Sequence, residues 1–138
     1  MIVHREERTL PRRGRGLHEI DDELAGVVAR ARVRDGLCSV FVPHTSASLL
    51  IQENADPAVL RDLERTFARL VPEGAGYEHD DEGPDDMPAH VRTALTHTSE
   101  TLPVVDGKIR LGTWQAVYLW EHRATPRART IVVTVIGV

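Results

Sequence analysis

Leu102-Pro-Val-Val-Asp-Gly-Lys-Ile-Arg-Leu111 is the stretch that decides the fold class. Two apolar runs, residues 102–105 and 109–111, flank Asp106-Gly107. Asp-Gly between such runs predicts a two-residue hairpin, because both turn positions need positive φ, which aspartate tolerates and glycine adopts without strain. A hairpin joins antiparallel strands. Downstream, residues 114–121 read as a further strand, and the β-branched run 130–138 reads as a central C-terminal strand. Upstream, residues 37–43 read as a buried strand and residues 2–10 as a polar-faced one. Gly14 and Gly16 mark a turn before a short strand at 17–20, and residues 49–51 begin another strand.

Helices interrupt this series. Leu24, Val27, Val28 and Ala31 recur at helical spacing behind Asp21, a candidate cap. Asp56-Pro57 is a helix start with proline at the first helical position, and Val59, Leu60, Leu63, Phe67 and Leu70 form its apolar stripe. Residues 87–95 form a short helix, with Asp86 as its expected cap. Mixed order and hairpin-joined strands argue for an α+β fold with mainly antiparallel sheets, not a doubly wound parallel one.

The 138 residues are expected to form one domain, 1–138, without repeat or linker. A net charge of −4 gives no case for nucleic acid. The basic residues gather at the two ends, with Arg5, Arg8, Arg12, Arg13 and Arg15 near the first and Arg123, Arg127 and Arg129 near the second. They read as solvated charge, with anion binding as the sharper alternative. Cys38 is the one cysteine, so no internal disulfide forms and a reducing, cytoplasmic setting is expected. It lies in an apolar run and reads as a buried structural thiol. No run approaches the roughly 20 apolar residues of a membrane span.

The chemistry concentrates in Tyr77-Glu-His-Asp-Asp-Glu-Gly-Pro-Asp-Asp-Met-Pro-Ala-His90, with two histidines, four aspartates and two glutamates. His79 and His90 match no simple metal spacing. The carboxylates between them strengthen the case, since neutral imidazoles bind borderline metals and carboxylates orient them. With His44, which follows a strand end, they would make a three-histidine site with an open position. The plain alternative is a solvated acidic loop. Glu53 and Asn54 precede the Asp56-Pro57 helix, whose cap is already supplied, so Glu53 is free for another role. Gln115 alternates with Trp114, for which a core position is expected. A Ser-His pair at His44, Ser46 and Ser48 lacks the Gly-x-Ser-x-Gly elbow of a hydrolase.

Taken together, Pro43-His-Thr-Ser-Ala-Ser-Leu49, Glu53-Asn-Ala-Asp-Pro57, Tyr77-Glu-His-Asp80, Glu82-Gly83, Asp85-Asp-Met-Pro-Ala-His90, Leu111-Gly-Thr-Trp-Gln115 and Glu121-His-Arg123 resemble the YjbQ-like proteins. These are sometimes described as secondary thiamine-phosphate synthases. The blocks occur in order over nearly the whole chain; a glycine expected near His97 is missing. The resemblance implies an antiparallel β-sandwich with two to three helices, assembled as a homotrimer. It implies metal ligation by His44, His79 and His90, with Glu53 and Asp86 as candidate catalytic groups. Ser46, Asn54, Gln115 and Arg123 would then line the substrate pocket. A zinc-like divalent ion suits three histidines, while magnesium suits pyrophosphate chemistry. The expectation is a metal-dependent enzyme acting on a small phosphorylated metabolite. The alternative is a non-catalytic trimer that binds a metal or metabolite.

Overall fold

The structure, a computed structural model, covers residues Met1–Val138. The Asp-Gly turn forms as its sequence predicts: Asp106 has φ 50° and Gly107 φ 76°. It joins β5 (Ser99–Val105) to β6 (Lys108–Ile109), with Val105 opposite Lys108. Around it the chain runs β1 (Ile2–Arg13), β2 (Gly16–Glu19), α1 (Asp21–Ala31), β3 (Gly36–Phe41), β4 (Ala47–Glu53), α2 (Pro57–Leu70) and α3 (Asp86–Leu95). After the hairpin come β7 (Gln115–Glu121) and β8 (Arg127–Gly137). The strands make two antiparallel sheets, one in the order β1-β8-β3-β5-β6 and one in the order β2-β7-β4. The fold is α+β.

The period-2 pleat explains the core. In β8, Ile131, Val133 and Val135 are buried while Val132, Thr134 and Ile136 are not. Their inward side chains meet Val40 of β3, Leu49 of β4 and Val117 and Leu119 of β7, so both sheets contribute to one cluster. Leu24, Val27, Val28 and Ala31 of α1 join that cluster. Each large side chain buried there contributes roughly 1.5–3 kcal/mol. Gly36 and Gly137 let β3 and β8 approach closely, because a Cβ on Gly36 would sit 2.0 Å from the Ile136 carbonyl oxygen. No helix is long and apolar enough to cross a membrane.

Five expectations need correction. Asp21 is the first residue of α1, not its cap, and its carboxylate instead accepts from the Val117 amide at 2.8 Å. The strand at 36–41 is buried on one face only: Leu37 is 47% and Phe41 46% exposed, since nothing in the chain covers the outer face of that sheet. Trp114 precedes β7 and is 66% exposed, while Trp120 is the core tryptophan, packed on Phe67. The stripe of α2 is only half-covered and none of its residues is fully buried, although Asp56 caps the helix as expected by accepting from Ala58. Asp86 is inside α3, not at its cap; Asp85 holds the cap position and makes no side-chain capping bond.

Candidate functional site

The first turn of α3 shapes the site. Gly83, with φ 99°, turns the loop, and the Asp86 amide donates to the Gly83 carbonyl at 3.3 Å. Asp86 and His90 lie four residues apart and so share one face of the helix. His79 arrives from the loop. Its Nε2 lies 2.7 Å from Asp86 Oδ2, and His90 Nε2 lies 3.2 Å from the same oxygen. The two rings meet edge to face with centroids 5.6 Å apart. Ligand-type atoms of His79, Asp86 and His90 all lie within 4.8 Å of one another.

Asp86 is held from behind. Arg123 donates from Nη1 to Asp86 Oδ1 at 2.7 Å, from Nε to Asp85 at 3.0 Å, and from Nη2 to the Glu82 carbonyl at 2.9 Å. Burial alone would raise the Asp86 carboxyl, but the His79 hydrogen bond and the charges of His90 and Arg123 outweigh it and hold it below the usual range. The His79 imidazole is raised above its ordinary value, chiefly by its bond to Asp86.

His90 carries the most specific geometry. Its Nδ1 lies 3.0 Å from the Thr45 carbonyl oxygen, which can only accept, so Nδ1 carries the proton. When His90 is neutral, its Nε2 lone pair points at the Asp86 carboxylate. Two acceptors 3.2 Å apart require a cation between them, either a proton or a metal. Metal-ligating histidines characteristically give their second ring N–H to a carbonyl in this way.

Thr45 is fixed by its neighbours. His44 Nε2 accepts from the Thr130 amide at 2.9 Å. Burial, then the charge of Arg129, lowers the His44 imidazole, in keeping with that acceptor role. Ser46 accepts from Arg129 through both its hydroxyl and its carbonyl. Arg129 in turn forms a bidentate pair with Glu121, which is 1% exposed.

The structure therefore brings together His79, His90, Asp86 and Arg123. His44 and Ser46 lie one step behind, anchoring Thr45. The ring nitrogen of His44 that faces Thr130 is taken, and Asp86 stands as the third ligand-type group. Arg123 spends its guanidinium inside the loop instead of presenting it to an anion. Glu53, Asn54 and Gln115 lie elsewhere in the chain. Glu53 faces Gln115 at one end of the β4–β7 pair, whereas Ala47 faces Glu121 at the other. That separates them from the histidines by roughly 20 Å of strand. Nor is Glu53 free: its carboxylate accepts from Ala55, while Asn54 donates to the carbonyls of Thr113 and Gln115. Sequence reasoning missed Thr45, which acts only through its carbonyl. It also read Arg129 as solvated charge, whereas Arg129 is 6% exposed and paired with Glu121, which the sequence reading left without a role; three polar residues ending the apolar strand at 121–123 were the available signal for Glu121.

Known proteins share this arrangement of segments. The family model described as "UPF0047 protein YjbQ-like" matches residues 6–138. UPF0047 protein sll1880 of Synechocystis sp. is 55% identical over 135 residues, covering 97% of this chain and 92% of that protein. UPF0047 protein YjbQ of Escherichia coli O157:H7 is 46% identical over 130 residues, covering 94% of each chain. Among solved structures, an uncharacterized conserved protein of the yjbq/upf0047 family from Clostridium acetobutylicum superposes with a TM-score of 0.87 at 34% identity. That superposition covers 95% of this chain and 99% of the other. Sequence identity and backbone agree along nearly the full length, so this chain belongs to the YjbQ-like UPF0047 family.

Proposed function

We propose that His79, Asp86 and His90 hold a divalent cation and that the centre acts on a small phosphorylated substrate. The observation that supports this most directly is His90, whose Nδ1 faces the Thr45 carbonyl while its Nε2 faces the Asp86 carboxylate. Two imidazoles and a carboxylate suit zinc or a similar ion better than magnesium, which favours an all-oxygen shell. When bound, such an ion supplies Lewis acidity and neutralises phosphate charge. The loop's own electrostatics favour that role: Asp81, Glu82 and Asp86 surround His79, so a phosphorylated molecule approaches only after a cation offsets them. Arg123 positions Asp86, and the His44–Ser46 segment positions His90.

The finer reading is a transferase resembling a thiamine-phosphate synthase, joining a pyrimidine pyrophosphate to a thiazole phosphate with release of pyrophosphate. In this reading the protein is a cytoplasmic homotrimer. Glu53, Asn54 and Gln115 reach the centre only from a neighbouring copy, where Glu53 would serve as a base. A second reading has its own support. Glu82 lies 3.0 Å from His79 Nε2, and His79, Asp81 and Glu82 form a second ligand-type group. If Glu82 closes the shell, the centre is a non-catalytic metal- or metabolite-binding site.

Elemental analysis of the purified protein and of His79→Ala, Asp86→Ala and His90→Ala tests the site. One metal per chain in the wild type and its loss in each variant are expected; full retention in any variant removes that residue from the ligand set. Metal-dependent release of pyrophosphate separates the enzyme from the binding module.

A further inference from the structure

His122 has no role in the site described above, yet it is one of the most buried polar side chains, 1% exposed. Its Nε2 lies 2.8 Å from Ser48 Oγ, which lies in turn 2.7 Å from the Thr96 hydroxyl. The Thr96 hydroxyl has a single proton and also lies 2.8 Å from the Arg92 carbonyl, so these contacts satisfy Nε2 in either tautomer of neutral His122 and leave Nδ1 over. That nitrogen has no partner. A buried polar atom left unpaired costs roughly 1–3 kcal/mol, so a partner is expected.

The imidazole lines a cavity of about 200 Å³, together with Arg15 and Arg92. Arg92 is 4% exposed, yet its guanidinium, with five N–H donors, finds a single protein acceptor, Glu64 at 2.6 Å. Arg15 is held loosely, 3.4 Å from Glu73 and 4.0 Å from Asp85, beyond the 2.7–2.9 Å of a tight charge-assisted bond. Asp85, the other acid on the wall, is already satisfied by Arg123 and the Ala124 amide. Burial and the charges of Arg92, Arg129 and Arg15 drive the His122 pKa down to about 3, which marks the position as electropositive as well as dry. The cavity is also distinct from the metal centre. Asp85, Pro88 and Arg92 recur at i, i+3 and i+7 along one face of α3, whereas Asp86 and His90 occupy another.

We propose that this cavity binds a compact oxyanion, held by the guanidinium groups of Arg15 and Arg92 and met by the unpartnered Nδ1 of His122. The volume lies below the roughly 300–1,000 Å³ of drug-sized ligands and suits a phosphate group with little attached. The site does not depend on the metal reading.

Titration calorimetry of the chelator-treated full-length protein with inorganic phosphate tests it. Saturable binding is expected, weakened roughly tenfold in Arg15→Gln, which removes one charge-assisted partner from a half-exposed position. Glu73→Gln removes the competing carboxylate at the mouth and is expected to tighten binding severalfold. His79→Ala leaves phosphate affinity unchanged, which separates this site from the metal centre. Methyl phosphate in parallel distinguishes the end of a metabolite, if it binds more tightly, from a free ion, if it binds less. Absence of saturable binding overturns the proposal. So does equal affinity in wild type, Arg15→Gln and Glu73→Gln, or a crystal structure with phosphate present that shows water alone on Nδ1.

Discussion

Asp86 serves two sides at once, with one oxygen toward Arg123 and the other toward two histidines. Replacing it by alanine strands a buried guanidinium partner, so Asp86→Ala is expected to cost about 3 kcal/mol in urea unfolding. Asp86→Asn has a different outcome. Its amide oxygen still accepts from Arg123, and its NH₂ donates to the His90 lone pair, limiting the loss to about 1 kcal/mol. Both variants should lose the metal, so an Asp86→Asn protein with full metal content contradicts the assignment. His122 makes a pH prediction. Its folded pKa of about 3 lies below the 6.5 of an ordinary histidine, so the unfolded chain binds more protons between those values. Stability should therefore fall as pH drops below about 6.5 toward 3, and His122→Phe should flatten that part of the curve. His79 and His90 were legible because a connecting loop has no other need of two imidazoles among carboxylates. The role of Asp86 was not. Which way a carboxylate turns at a helix start depends on Arg123, a partner 37 residues away, and no local spacing encodes it.

The helices differ in what holds them. α1 buries four side chains in the core, whereas α2 keeps its stripe half-covered and relies more on its local signals. Asp56→Ala removes the one side-chain cap of α2 and should cost about 1 kcal/mol, read as a lower urea midpoint at unchanged slope. Gly36→Ala should cost more, about 2 kcal/mol or above, because the new methyl meets the Ile136 backbone instead of a side chain that can swing aside. Strand positions and the hairpin could be read from the sequence because period and turn chemistry are local. The tryptophans show where such reading stops. Trp114 and Trp120 are six residues apart and would share a face if both lay in one strand. Strand β7 begins at Gln115, so Trp114 escapes the alternation while Trp120 obeys it. Nor does alternation describe β7 itself: every residue from Ala116 to Glu121 is buried, because this central strand is covered on both faces.

At the scale of the whole molecule, the outer face of the five-stranded sheet is the feature a single chain leaves unexplained. Val3 pairs with Ile136, and Ile136 with Leu37, so three apolar side chains line up across β1, β8 and β3. All three are exposed, and Phe41 beside Val132 extends the surface along β3. An apolar row that crosses three strands has the shape of a buried face, and a second copy of this chain is the occupant that fits the proposed homotrimer. Sedimentation equilibrium is expected to give three times the 15.4 kDa chain mass. Leu37→Glu combined with Phe41→Glu places charge on that row without touching the core, since both side chains point outward. The double variant should sediment as a folded monomer with an unchanged circular dichroism spectrum. A monomeric wild type sinks the trimer, and a double variant that stays trimeric moves the contact off this sheet. The same experiment bears on the metal centre. If Glu53 and Gln115 are supplied by a neighbouring copy, the monomeric variant should keep its metal, since His79, Asp86 and His90 come from one chain, yet lose any metal-dependent turnover.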